Sequence, residues 1–186
     1  MGVVGPFFLD TNILLDYLEN RDQEIVYLLN RSRRANVTLI TSSINLVEVF
    51  DKEQEIYFIG KLVLKRLSFD EILRRKRNRH LEEHEKREIA SKINRFLEEF
   101  KIKVYALDER GYSLAFQLMQ DLDLNSQDAL ILSVFLLSDA KYFLTKDKEL
   151  AKQGELSERF KKKNKEVLDL RLKENIDRLI KEISGE

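Results

Sequence analysis

The 186-residue sequence contains no cysteine, no tryptophan and a single proline. Without cysteine the chain has no disulfide framework, no thiol nucleophile, no iron–sulfur cluster and no zinc site built on thiolates. An excess of charge of one sign is also missing, because 33 Lys and Arg residues are balanced by 33 Asp and Glu residues. No net field therefore indicates a nucleic-acid or membrane partner, and binding of such a partner must depend on local patches.

Long apolar runs are absent as well. No stretch approaches the roughly 18 apolar residues that a membrane-spanning helix needs, and the first residues lack the basic start and apolar core of a signal peptide. We therefore expect a cytoplasmic protein without membrane association. With 43% hydrophobic residues in a chain of this length, residues 1–186 are expected to form one domain.

Strand-like apolar segments alternate with helical patterns along the chain. This alternation predicts an α/β fold with a mainly parallel, twisted sheet flanked by helices. The predicted strands cover residues 3–9, 37–41, 102–107, 142–145 and 166–170. Helix formers dominate roughly residues 52–100, which we interpret as a helical insertion. Roughly residues 171–186 carry the apolar periodicity of a C-terminal amphipathic helix.

Four acidic residues lie where parallel sheets place their functional groups, at the carboxyl ends of strands and at nearby helix starts. Asp10 directly follows the first strand, and Asp147 follows the strand 142–145 by two residues. Glu48 lies in the helix after the second strand, and Asp128 lies in the first turn of a strongly apolar helix. Converging carboxylates repel one another, and a divalent cation removes that conflict. Because no His or Cys lies nearby, the oxygen ligands favour Mg²⁺ or Mn²⁺ over zinc.

Each of these acids also has an ordinary structural interpretation. Asp10 suits a helix N-cap, Asp147 suits a turn, and Asp128 is favoured by the dipole of its helix. Glu48 could simply be solvated. Four independent structural roles at the same edge of one sheet are a weaker explanation than one functional site shared by the four acids.

The segments around the four acids resemble the motifs of PIN-domain nucleases, a superfamily that includes VapC-like toxins. In chain order they are FFLDTN (7–12), TSSINLVEV (41–49), DALILS (128–133) and LTKD (144–147). The resemblance covers residues from about 7 to 150, with the helical stretch inserted between the second and third acids. It implies a PIN-like fold for the whole chain.

The resemblance also implies a role for each matching residue. The catalytic and metal-binding residues would be Asp10, Glu48, Asp128 and Asp147, which together would hold one or two Mg²⁺ or Mn²⁺ ions. The supporting residues would be Asn12, Thr145 and Glu149, of which Glu149 is an alternative for the fourth acid. A metal-activated water would attack the phosphodiester, so no protein nucleophile is required.

The implied activity is metal-dependent endonucleolytic hydrolysis of single-stranded RNA, with DNA as a further substrate. Two biological settings are consistent with it: a toxin of a toxin–antitoxin pair, with an antitoxin or other protein partner, or RNA processing. A homodimer is also expected. The competing hypothesis is a catalytically weak or silent nucleic-acid-binding or scaffold module that retains the acidic pocket.

The helical stretch contains a basic run and a histidine pair. The basic run comprises Arg74, Arg75, Lys76, Arg77 and Arg79. It is interpreted either as an exposed helix face balanced by glutamates or as a nucleic-acid-binding arm. The sequence HLEEH (80–84) has the order of an inverted zinc-peptidase motif. Its highly charged flanks are typical of a solvated helix rather than of a cleft wall, so we do not expect a peptidase.

Overall fold

The computed structural model describes residues 5–156 and 158–185, which form a five-stranded sheet with all strands parallel. The strands are β1 (Phe7–Leu9), β2 (Leu39–Ser42), β3 (Lys103–Tyr105), β4 (Tyr142–Thr145) and β5 (Glu166–Asp169). Their order across the sheet is β3-β2-β1-β4-β5. The predicted α/β fold is confirmed, and residues 3 and 4 of the first predicted strand lie outside the described residues.

Helices connect the strands and cover the sheet. They are α1 (Thr11–Leu18), α2 (Gln23–Arg34), α3 (Ser43–Leu64), α4 (Phe69–Lys76), α5 (Glu83–Glu99), α6 (Glu109–Asp121), α7 (Ser126–Leu137), α8 (Lys148–Leu156), α9 (Glu158–Lys162) and α10 (Lys173–Ser184). Asn125 is the N-cap of α7, and its side chain accepts the N–H of Asp128 at 2.9 Å. Among the described helices, none combines the length and the apolar composition that crossing a bilayer requires.

The strand order creates a crevice beside β1. The chain moves outward from β1 to β2 and β3, and then returns to the other side of β1 to form β4 and β5. In open parallel sheets, ligands bind at the carboxyl ends of the strands where the order reverses in this way. The backbone N–H of Asp10 donates to the carbonyl of Leu144 (3.1 Å), so the ends of β1 and β4 are held together at this point.

Side chains of β1 alternate between two hydrophobic cores, one on each face of the sheet. Phe7 and Leu9 enter the core shared with α1, α2, α5 and α10, whereas Phe8 enters the core shared with α6 and α7. The Phe8 ring stacks on Phe143 with centroids 5.4 Å apart and meets Phe135 edge-on at 5.7 Å. Close packing on both faces fixes β1 and β4, and therefore fixes the residues that follow them.

The helical stretch 52–100 divides into parts that pack differently. Helix α5 buries its apolar face in the first core, whereas the residues of α4 are all exposed or half-buried. Lys92 of α5 also forms ion pairs with Glu19 and with the buried Glu53, the latter at 2.7 Å. The interpretation of this stretch as an insertion stays a prediction. Helix α10 accounts for the predicted C-terminal helix and packs against α2.

Candidate active site

A cavity of about 360 Å³ opens at the carboxyl ends of β1 and β4. Its lining includes all four acids singled out in the sequence, namely Asp10, Glu48, Asp128 and Asp147. They come from the end of β1, the second turn of α3, the first turn of α7 and the residues after β4. The fold therefore brings together carboxylates that are far apart in the sequence.

Asp10 is the most deeply buried of the four acids, with 5% of its surface exposed. Its Oδ1 accepts the backbone N–H of Thr11 (2.8 Å) and the amide of Asn45 (3.2 Å). Its Oδ2 accepts the amide of Asn12 (2.7 Å) and the hydroxyl of Thr145 (2.6 Å). Four donors thus hold one carboxylate in a fixed orientation, and Asn12 and Thr145 are among them.

Burial raises the pKa of Asp10 to about 6, because desolvation penalises its charged form. The hydrogen bonds from Thr145 and Thr11 act in the opposite direction and lower the pKa. Repulsion from the nearby charges of Glu48 and Asp128 raises it further. Asp10 is therefore a carboxylate whose negative charge is not fully compensated by the protein.

The same repulsion acts on Asp128. Burial raises the pKa of this half-buried carboxyl, and the charges of Asp147 and Glu48 raise it further. The amide of Asn125 donates to Asp128 Oδ2 (2.7 Å), which orients the carboxylate and lowers its pKa. The four acids of the cavity therefore form one electrostatic unit.

Asn45 is a site residue that sequence reasoning missed. It is fully buried, and its amide donates to Asp10 and to the hydroxyl of Thr11 (3.1 Å). The Thr11 hydroxyl in turn donates to Glu48 Oε2 (2.7 Å), while Ser42 hydrogen-bonds Asn45 from the other side. A continuous buried network thus links two of the acids. The available signal was spacing, because Asn45 lies three residues before Glu48 and hence on the same helix face.

The fourth acid is held by the loop after β4. The N–H of Asp147 donates to the Thr145 hydroxyl, and Asp147 Oδ1 accepts the N–H of Leu150, both at 2.9 Å. Asp147 and Glu149 are both exposed, but only Asp147 is part of the cavity lining. Because Asp147 lines the cavity and Glu149 does not, the arrangement favours Asp147 as the fourth acid, and a role for Glu149 stays a prediction.

The donor set suits a hard dication, although the carboxylates are not closed around one point. Among the described residues, no three Asp, Glu, His or Cys side chains form a ready-made metal site. The acids nevertheless present carboxylate oxygens and no nitrogen or sulfur ligand, which matches Mg²⁺ or Mn²⁺. Burial, and to a smaller extent repulsion between the acids, raises the pKa values of Asp10 and Asp128, and a bound cation would offset both effects.

The basic run lies outside the cavity and is mostly engaged in ion pairs. The pairs are Arg75 with Glu71 (2.5 Å), Lys76 with Glu55 (2.7 Å), Arg74 with Glu71 (3.9 Å) and Arg79 with Asp51. Arg77 has no ion-pair partner among the described residues. For most of the run, these ion pairs favour the interpretation as an exposed helix face whose charges are balanced by acidic residues. The nucleic-acid-binding role stays a prediction. Arg79 differs from the others because its partner Asp51 lies three residues after Glu48.

The two histidines do not share a helix. His80 lies before the start of α5 and is exposed, whereas His84 is the second residue of that helix and is also exposed. The HLEEH sequence therefore lacks the geometry in which histidines four apart grip a zinc ion from one helix face.

Comparisons with known proteins agree with this geometry. The sequence model of the PIN domain family matches residues 7–156. A solved structure of VapBC2 from Rickettsia felis, bound to a DNA fragment from the promoter, is similar with a TM-score of 0.54 and 17% identity. The match covers 87% of this chain and 96% of that one. A search of curated protein sequences finds no match. The family match spans most of the chain and includes all four acids of the cavity, so this chain belongs to the PIN domain family.

Proposed function

We propose that this PIN domain is a metal-dependent phosphodiesterase that cleaves single-stranded RNA. The observation that carries the proposal is the convergence of Asp10, Glu48, Asp128 and Asp147 in one cavity. Burial and repulsion raise the pKa values of two of these carboxylates, Asp10 and Asp128, and a bound cation would offset that cost. Converging carboxylates are also the ligand set of metal-assisted phosphodiester hydrolysis. Mg²⁺ or Mn²⁺ is the proposed cofactor.

In this proposal the four carboxylates hold the cation, and neighbouring side chains orient them. When bound, the ion supplies an activated water and offsets the charge of the phosphate. The chain contributes fixed ligand geometry: the Thr11 hydroxyl orients Glu48, and the Asn125 amide orients Asp128. The hydroxyls of Thr11 and Thr145 both donate to carboxylates, so neither is poised as a nucleophile.

For the biological setting we propose a toxin-type nuclease with a protein antitoxin, with RNA processing as the alternative. The similar solved structure is a VapBC2 complex bound to promoter DNA, which supports a protein partner and contact with nucleic acid. The basic run with Arg77 remains the proposed nucleic-acid-binding arm. The homodimer expected from the sequence also stays a prediction.

The second candidate is a silent nucleic-acid-binding or scaffold module. The observation in its favour is that no three carboxylates of the described chain are closed around one point. It predicts that single strands bind and are not cut.

One experiment separates the two candidates. The purified chain is incubated with a fluorescein-labelled single-stranded RNA, the same sequence as DNA, and the RNA duplex. Each substrate is tested with Mg²⁺, with Mn²⁺ and with EDTA. We expect cleavage of the single-stranded RNA with either metal and none with EDTA. Cleavage in EDTA would reject the mechanism, and binding without cleavage would favour the silent module.

The buried network below the acids gives a second prediction. Thr11→Val removes the donor to Glu48 and the acceptor for Asn45 while preserving side-chain shape. We expect kcat to fall about tenfold, since a misoriented ligand costs roughly one hydrogen bond of transition-state stabilisation. Thr41→Val is the matched control, because its buried hydroxyl donates to the Leu9 carbonyl (3.0 Å) and touches no acid.

The two valine variants are compared by thermal unfolding, which gives Tm, and by steady-state kinetics, which gives kcat and KM. Both valine variants should lower Tm by a similar amount, because each removes one buried hydroxyl donor. Only Thr11→Val should change kcat, with KM nearly constant. Equal kcat in the two variants would show that the network has only a structural role.

A further inference from the structure

A second groove of about 500 Å³ lies beside the acidic cavity. Its lining consists of Ile44, Val47, Glu48, Asp51, Lys52 and Gln127. Glu48, Lys52 and Gln127 also line the acidic cavity. The two cavities are therefore adjacent, and a chain-like ligand bound in one can extend into the other.

The groove combines an apolar surface with one lysine and two carboxylates, and an arginine lies at its edge. Val47 of α3 is 72% exposed, and the half-buried Ile44 lies one turn before it on the same helix. The exposed Lys52 forms no direct ion pair with a described residue, and it borders both cavities. Arg79 adds a second cation at the groove edge through its ion pair with Asp51. An apolar surface next to cations is complementary to a base attached to a phosphate backbone.

We propose that this groove receives an unstacked base of the nucleotide next to the phosphate held in the acidic cavity. The inference rests on the proposed function, because it assigns that phosphate to the four acids. Val47 and Ile44 would contact the face of the base. The exposed amide of Gln127, which can donate and accept hydrogen bonds, would face its edge. Since a base enters such a groove only when it is unpaired and unstacked, the groove selects single strands over duplexes.

The test measures binding rather than cleavage. Fluorescein-labelled single-stranded RNA is titrated with protein in the Asp128→Asn background, and anisotropy gives the Kd. Val47→Asn should weaken binding about fivefold, since it removes part of an apolar contact, and Val47→Phe should tighten it by stacking. The matched control is Val63→Asn, because Val63 lies on the same helix, is 56% exposed and is not part of the groove.

A cycle with an altered substrate links the effect to the base itself. Oligonucleotides that carry one abasic nucleotide on either side of the cleaved bond are titrated against the chain with Val47 and against Val47→Asn. At one of the two positions, the abasic nucleotide should weaken binding to the chain with Val47 about fivefold. The same abasic nucleotide should have little further effect on binding to Val47→Asn, because loss of the base and loss of the valine remove the same contact. Additive losses at every position would overturn the proposal.

The remaining outcomes separate this inference from the proposed function. If the chain cuts single-stranded RNA while Val47→Asn and Val63→Asn bind alike, the groove proposal fails and the nuclease proposal stands. If the chain neither binds nor cuts any oligonucleotide, both fail. If sedimentation shows self-association that Val47→Asn abolishes, a second copy of this chain occupies the groove, and the proposal is again overturned.

Discussion

Replacing Asp10 with Asn is expected to reduce cleavage of single-stranded RNA about a thousandfold, as removal of a key charge-stabilising group does in other enzymes. Four donors surround the Asp10 carboxylate, and the amide introduced by Asp10→Asn would present its own donor to some of them. Both the charge and the orientation of the central ligand are therefore lost. The measurement is the single-turnover rate with saturating Mg²⁺ or Mn²⁺.

Asp128→Asn is expected to cause a loss of similar size. The charges of Asp10 and Asp128 act on each other, so the two residues form one unit, and the double variant should be little slower than either single variant. The control is Glu149→Gln, which removes a charge that lies outside the cavity. Full activity in both Asn variants, or loss of activity in Glu149→Gln, would contradict this assignment.

The second large effect is a dependence of stability on pH in the metal-free chain. The folded-state pKa of Asp10 is about 6, compared with an ordinary value of 3.8, so the folded chain binds this proton more tightly than the unfolded chain. Protonation therefore favours folding, and the free energy of unfolding falls as pH rises from about 4 through about 6. The difference in pKa corresponds to about 3 kcal/mol for this buried group.

Chemical denaturation in EDTA across this pH range provides the measurement. Asn does not titrate, so only the unaltered chain should lose this contribution. As pH rises from about 4 through about 6, its free energy of unfolding should fall by up to about 3 kcal/mol relative to that of Asp10→Asn. Parallel curves for the two proteins would contradict the pKa assigned to Asp10. Addition of Mg²⁺ or Mn²⁺ should stabilise the unaltered chain more at pH 7.5 than at pH 5, because protonated ligands bind the cation poorly.

Much of this site can be predicted from the sequence because strand ends are visible in it. The pattern predicts the strand 142–145 with the boundaries that the structure gives to β4, and it places Asp10 at the end of β1. Parallel strands end at one edge, so acids that follow them must converge. This geometric rule groups Asp10, Glu48 and Asp147 before any coordinates are known. Asp128 follows no strand directly, and its place in the first turn of an apolar helix and the family resemblance group it with the others.

Other features depend on packing that the sequence does not reveal. In the sequence Asn45 is simply a polar residue near a helix start, and only the approach of α1 to α3 shows that it reaches Asp10. The groove at Val47 likewise depends on where Gln127 of α7 lies. The ion pair of Arg79 with Asp51 requires the turn after α4 to pack back on α3, which no local pattern indicates.

The pairing of the first strand with a late one has a consequence for the timing of activity. Phe7 of β1 pairs with Tyr142 of β4, and the Asp10 carboxylate accepts the Thr145 hydroxyl from the end of that strand. A nascent chain that has left the ribosome only as far as α7 already carries three of the four acids, yet one edge of its central strand has no neighbour. The four acids can therefore be assembled only after β4 has been synthesised, and a product truncated before β4 lacks both Asp147 and the hydroxyl that Thr145 donates to Asp10.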